Sequence, residues 1–111
     1  MCLILFAYQA HPDYPADFWP DYPEIYGGRD VEKDGTWMGL TKSGRFSAVT
    51  NFREGQPKWD APRSRGALVR DFLAGRERAD RYLKSALSKG AQYQGFSILA
   101  GDLSEMWFAT N

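Results

Sequence analysis

The sequence predicts an α+β fold in one domain: strands, then two consecutive helices, then strands, without alternating strand–helix units. Three observations carry that expectation. Apolar residues recur twice at helical spacing between positions 68 and 87. Short β-rich runs, residues 36–51 and 95–110, flank them. At 111 residues and 12.6 kDa, the chain is long enough to bury one core and too short for two domains.

Residues 2–8 are continuously apolar, which suits a strand buried on both faces. Pro12, Pro15, Pro20 and Pro23 follow, and this density of proline predicts irregular backbone over 11–23. Residues 36–41 and 45–51 read as two strands. Lys42, Ser43 and Gly44 join them, with Gly44 suited to the left-handed position of a short hairpin turn. Residues 59–62 read as loop. Leu68, Val69, Phe72 and Leu73 mark one face of a first helix, stopped by Gly75. Tyr82, Leu83, Ala86 and Leu87 repeat the stripe in a second helix, stopped by Gly90. Residues 95–100 and 105–110 form a second hairpin around 101–104. An apolar terminal strand of this kind wants a neighbour, so self-association, or a missing partner segment, is expected.

Composition excludes several function classes. The 43% hydrophobic and 25% charged fractions are those of a globular domain, not of a disordered chain. Fourteen basic residues balance fourteen acidic ones, which removes the electrostatic footprint of a nucleic-acid binder. Cys2 is the only cysteine and His11 the only histidine. An internal disulfide and a Cys/His zinc cluster are thereby excluded, and neither a metal nor a cofactor is expected. The longest apolar run, residues 1–8, falls well short of the roughly 20 residues of a membrane span and lacks the basic start of a signal peptide. A soluble, cytoplasmic domain is expected. Residues 58–89 carry nine bases, but acids and apolar residues interleave them, as on solvated helix faces rather than an anion-binding patch.

Cys2 is the first candidate for chemistry. Removal of Met1 would leave its thiol beside a free α-amine, groups with reference pKa values of about 8.5 and 7.7–8.0. Such an amine can act as base for its own side-chain nucleophile. The alternative is a small core hydrophobe. Asn51, at a strand end, can donate its amide to a developing oxyanion or cap the following turn. His11, lacking an orienting partner, reads as a surface side chain. Asp102 and Glu105 flank a turn and read as loop-solvating groups. Gly27, Gly28, Arg29 and Asp30 match no phosphate loop.

The opening residues 1–15 (MCLILFAYQAHPDYP), then 27–30 (GGRD), 35–39 (GTWMG) and 44–53 (GRFSAVTNFR) form an ordered series of blocks. Residues 64–66 (SRG), 93–96 (YQGF) and 99–102 (LAGD) continue it. The series resembles the NRDE family, also called transport and Golgi organisation 2-like proteins, over nearly the whole chain. The resemblance implies the N-terminal part of an N-terminal-nucleophile hydrolase, an αββα sandwich of two antiparallel sheets between helices. It implies amide cleavage with Cys2 as nucleophile and Asn51 as oxyanion donor, the ligand being a small-molecule amide or one that the sequence does not name. A non-catalytic binding or trafficking module that reuses the fold is the alternative. The Asn-Arg-Asp-Glu motif that names the family is absent, since Pro15 runs straight into Ala16. A segment missing from the sequence at that junction is therefore expected, as is family length about twice that of this chain.

Overall fold

The computed structural model describes residues 17–30, 32–51 and 61–111. Cys2, His11, the apolar run 2–8 and the Pro15–Ala16 junction lie outside the described residues. Six strands form one antiparallel sheet in chain order: β1 (Asp17–Phe18), β2 (Ile25–Gly27), β3 (Met38–Thr41), β4 (Phe46–Asn51), β5 (Phe96–Gly101) and β6 (Met106–Thr110). Two helices, α1 (Arg65–Ala74) and α2 (Ala79–Ser88), intervene between β4 and β5. The expected α+β class is thus observed. Among the described residues there is one sheet, so the second sheet implied by the sandwich is not part of this description.

The β3–β4 hairpin follows from its turn. Gly44 adopts φ +92°, a conformation that strains residues with a Cβ, and its amide donates to Thr41 O at 3.0 Å. β4 and β5 then pair along their full six residues, from Phe46 opposite Gly101 to Asn51 opposite Phe96. Strand alternation sends Val49, Phe96, Ile98 and Ala100 to one face. There they meet Leu68, Val69, Phe72 and Leu73 of α1 and Leu83 and Ala86 of α2 in one buried cluster. Each such aliphatic or aromatic side chain contributes about 1.5–3 kcal/mol on burial.

The helices cover this face alone. The register puts Phe18, Tyr26, Leu40, Phe46, Leu99 and Phe108 on the other, where Phe18 and Tyr26 touch edge to face at 5.1 Å. Phe18 is 46% exposed and Phe108 63%. No strand residue on this open face is charged.

Several sequence expectations need correction. The 11–23 segment is not wholly irregular, because Asp17 and Phe18 pair with Gly27 and Tyr26. They fit between Pro15 and Pro20 because an edge strand leaves half its N–H groups unused. Strand β3 begins at Met38 instead of Thr36, because the Thr36 hydroxyl turns back to Met38 O at 3.0 Å. Gly90 opens a 3₁₀ turn (Gly90–Gln92), and α2 has already ended at Ser88. Leu87, expected on the buried stripe, is exposed.

Candidate functional site at one end of the sheet

Asn51 is the last residue of β4 and stands opposite Phe96, the first of β5. Alternation places it on the same side as buried Ser47 and Val49, and it is half-buried. Three other segments converge on this end. Val49 N donates to Trp37 O at 2.9 Å, which ties the residues before β3 to β4. Arg65, the first residue of α1, donates Nη1 to Gly95 O at 3.0 Å, immediately before Phe96. Its guanidinium carbon lies 5.8 Å from the centre of the half-exposed Trp37 indole.

Backbone packing fixes the arrangement. Thr36 N donates to Gly66 O at 3.2 Å, and a Cβ on Gly35 would stand 2.5 Å from Gly66 C. Gly35 is needed for that approach of α1 to the 35–36 segment, and a Cβ on Gly66 would be tight, 3.2 Å from Thr36 N. On the β5 side, Asn111 Oδ1 accepts from Phe96 N at 2.7 Å while its Nδ2 donates to Gly90 O at 3.0 Å. The site therefore offers a side-chain amide and a guanidinium on a backbone-locked frame. Both groups stabilise negative charge, as an oxyanion donor and a cation.

Asp102 and Glu105 lie at the far end of β5, about 20 Å away for a six-residue strand, so they are not brought to Asn51. Asp102 organises its own turn, accepting from Ser104 N (2.8 Å), Ser104 Oγ (2.7 Å) and Glu105 N (3.2 Å). Those bonds, the Ser104 side chain foremost, hold its carboxyl below the ordinary value. The 27–30 block is a clamp. Arg29 bridges Asp21 and Asp34 and lies 4.4 Å over the Trp19 ring. The Asp21 bond, then the Asp34 bond, hold Arg29 firmly charged.

Sequence reasoning missed Arg65 and Trp37 as partners, since only tertiary packing pairs them. It also missed Arg45. The Arg45 guanidinium stacks 3.8 Å over Phe72 and donates to Phe72 O at 2.6 and 3.2 Å and to Glu77 O at 3.0 Å. Burial lowers its pKa. Among the described residues no group of three or more His, Cys, Asp or Glu could hold a metal ion, and no helix is long and apolar enough to cross a membrane.

The ordered blocks that build this sheet end are matched by a family model, Transport and Golgi organisation 2, over residues 14–111. The chain belongs to this family. Among its relatives, the Transport and Golgi organization protein 2 homolog of Homo sapiens is 39% identical over 100 residues, covering 87% of this chain and 36% of the relative. The Mus musculus homolog is 41% identical over 96 residues, covering 84% of this chain and 34% of the relative. The Bos taurus homolog is 38% identical over 96 residues, with the same shares. The chain thus spans about a third of the length of these relatives.

Proposed function

We propose that this chain carries the nucleophile portion of an amide hydrolase of the N-terminal-cysteine type. Met1 is removed, and the freed α-amine of Cys2 takes the thiol proton. The thiolate attacks the amide carbonyl carbon, and the Asn51 side chain donates to the resulting oxyanion. The amine returns its proton to the leaving nitrogen as the C–N bond breaks, leaving a thioester that water hydrolyses. Family membership supports this reading. So does a sheet with helices on one face and bare apolar side chains on the other, as an αββα sandwich requires. The observation that carries the oxyanion role is the placement of Asn51, half-buried at the end of the longest strand pair on a frame fixed by backbone bonds. Cytoplasmic residence and self-association belong to the same proposal.

One observation favours a second reading. The sequence contains no Asn-Arg-Asp-Glu motif, and related N-terminal-cysteine hydrolases orient thiol and amine with that arginine and aspartate. A non-catalytic module, in keeping with the word transport in the relatives' names, needs no reactive thiol.

Two measurements separate the readings. Intact mass spectrometry of the expressed chain is expected to lack Met1. Cys2 is expected to alkylate with iodoacetamide at pH 7 faster than free cysteine. Asn51→Ala should leave that rate unchanged while slowing turnover of an acyl p-nitroanilide by 10²–10³-fold. Retained Met1, or a thiol no faster than free cysteine, would replace the hydrolase reading with the binding module.

A further inference from the structure

We infer that the Trp37 indole is the platform that receives the acyl group of the substrate, and that this group ends in a flat aromatic ring. The inference rests on the hydrolase reading above and names its substrate class, the amides of arylalkanoic acids. At this end of the sheet Val49, Phe96 and Ile98 lie buried among the side chains of the helices. Trp37, bonded to Val49 through its carbonyl, departs from that pattern with 46% of its surface exposed. Its indole lies on the helical side, because the cation over it, Arg65, comes from α1. Asn51 is on the same side, since it alternates with Val49 along β4. A binding site combines a large apolar contact with a few placed polar groups. Here the indole supplies the first and the Asn51 amide the second.

The ring is held where a ligand could use it. Trp37 O accepts from Val49 N at 2.9 Å, so the residue is fixed to β4. The Thr36 hydroxyl donates to Met38 O at 3.0 Å and accepts from Met38 N at 3.3 Å, which ties the backbone on both sides of Trp37. Among the described residues no second ring or cation lies against the indole. Spacing sets the length of the acyl group. Asn51 is two residues beyond Val49 along β4, about 7 Å at roughly 3.4 Å per residue. A ring two methylenes from the carbonyl carbon that Asn51 polarises spans most of that distance. Aromatic contact is favoured over contact with a saturated ring of the same size by about two- to twelvefold.

The test compares two amides on the full 111-residue chain, the p-nitroanilides of 3-phenylpropanoic and 3-cyclohexylpropanoic acid. Two methylenes insulate the carbonyl from the ring, so the compounds differ in contact with the protein and not in intrinsic reactivity. The phenyl compound is expected to show the higher kcat/KM, by about two- to twelvefold. Trp37→Leu should erase that preference and Trp37→Phe should retain it. Binding is read apart from turnover in the Cys2→Ala chain, which lacks the thiol. There 3-phenylpropanamide should shift the Trp37 indole N–H resonance through its ring current, whereas 3-cyclohexylpropanamide should not. Turnover with equal kcat/KM for the two anilides overturns the aromatic class and leaves the hydrolase reading standing. A preference that survives Trp37→Leu overturns the assignment to Trp37. A shifted indole resonance without turnover of either anilide supports the platform and removes the hydrolase reading. An unshifted resonance without turnover removes both. Should Trp37→Leu fail to fold, the indole resonance decides, since it is read with Trp37 in place.

Discussion

Arg45 shows how much one side chain does in a small core. It follows the hairpin glycine, yet its guanidinium reaches Phe72 O, one of the last carbonyls of α1, and Glu77 O between the helices. Helix C-termini leave carbonyls without intrahelical donors, and Arg45 supplies them. Arg45→Met keeps much of the stacking over Phe72 but strands these carbonyls, so urea unfolding should read a loss of about 1–3 kcal/mol. Arg45→Lys should recover only part, because one ammonium nitrogen replaces the three guanidinium nitrogens that here reach Phe72 O and Glu77 O. Asp102 gives a residue-level prediction in pH. Hydrogen bonds from Ser104 and Glu105 lower its folded pKa beneath the ordinary 3.8. A depressed acid pKa contributes stability that is fully present above 3.8 and lost as pH falls through the folded value. Asp21, held down by Arg29, adds to the same window with the same sign. Asp102→Asn should therefore lower the melting temperature above pH 4, with wild type and variant converging at lower pH. Parallel curves across that range would contradict the assignment.

At the scale of elements, the contact that sets the candidate site is the approach of α1 to the 35–36 segment. A Cβ on Gly35 would meet Gly66 C at 2.5 Å, Gly66 O at 2.8 Å and Ala67 N at 2.9 Å, all of them backbone atoms. None can swing aside, so Gly35→Ala should cost about 1–3 kcal/mol. Gly28→Ala, with nothing within 4 Å of its Cβ, is the control and should leave the melt unchanged. Equal melting temperatures for the two variants would mean that α1 yields there. This element scale is also where the sequence was most readable. Both helices and the 45–51 strand announce themselves by apolar period, and Gly44 by its turn. What escaped was whatever depends on partners distant in sequence. The two-residue β1 exists because β2 lies beside it, and Leu87 is exposed because α2 sits at the margin of the sheet. Asn51 was legible at a strand end. Arg65 and Trp37 were not, because their meeting requires α1 to be seated on the sheet.

At the scale of the molecule, the order of the six described strands equals chain order, and each neighbouring pair among them is antiparallel. Among the described strands the longest connection holds the helical pair, running from Asn51 to Phe96, the residue opposite. That topology carries a kinetic consequence. Residues 17–51 and 96–110 are each joined by connections of ten residues or fewer, so they can form early at modest entropic cost. The ladder between them requires a loop of some forty residues to close first, a cost that grows only as (3/2)RT ln n but must be met before any of its six pairs forms. The helices lower it, because once α1 and α2 are wound and joined through Tyr82 Oη and Leu68 O (2.5 Å), the span between Asn51 and Phe96 is short. Docking of β4 against β5 should then be the rate-limiting step. Substitutions at Phe72 should slow refolding, whereas those at Phe18 should chiefly speed unfolding.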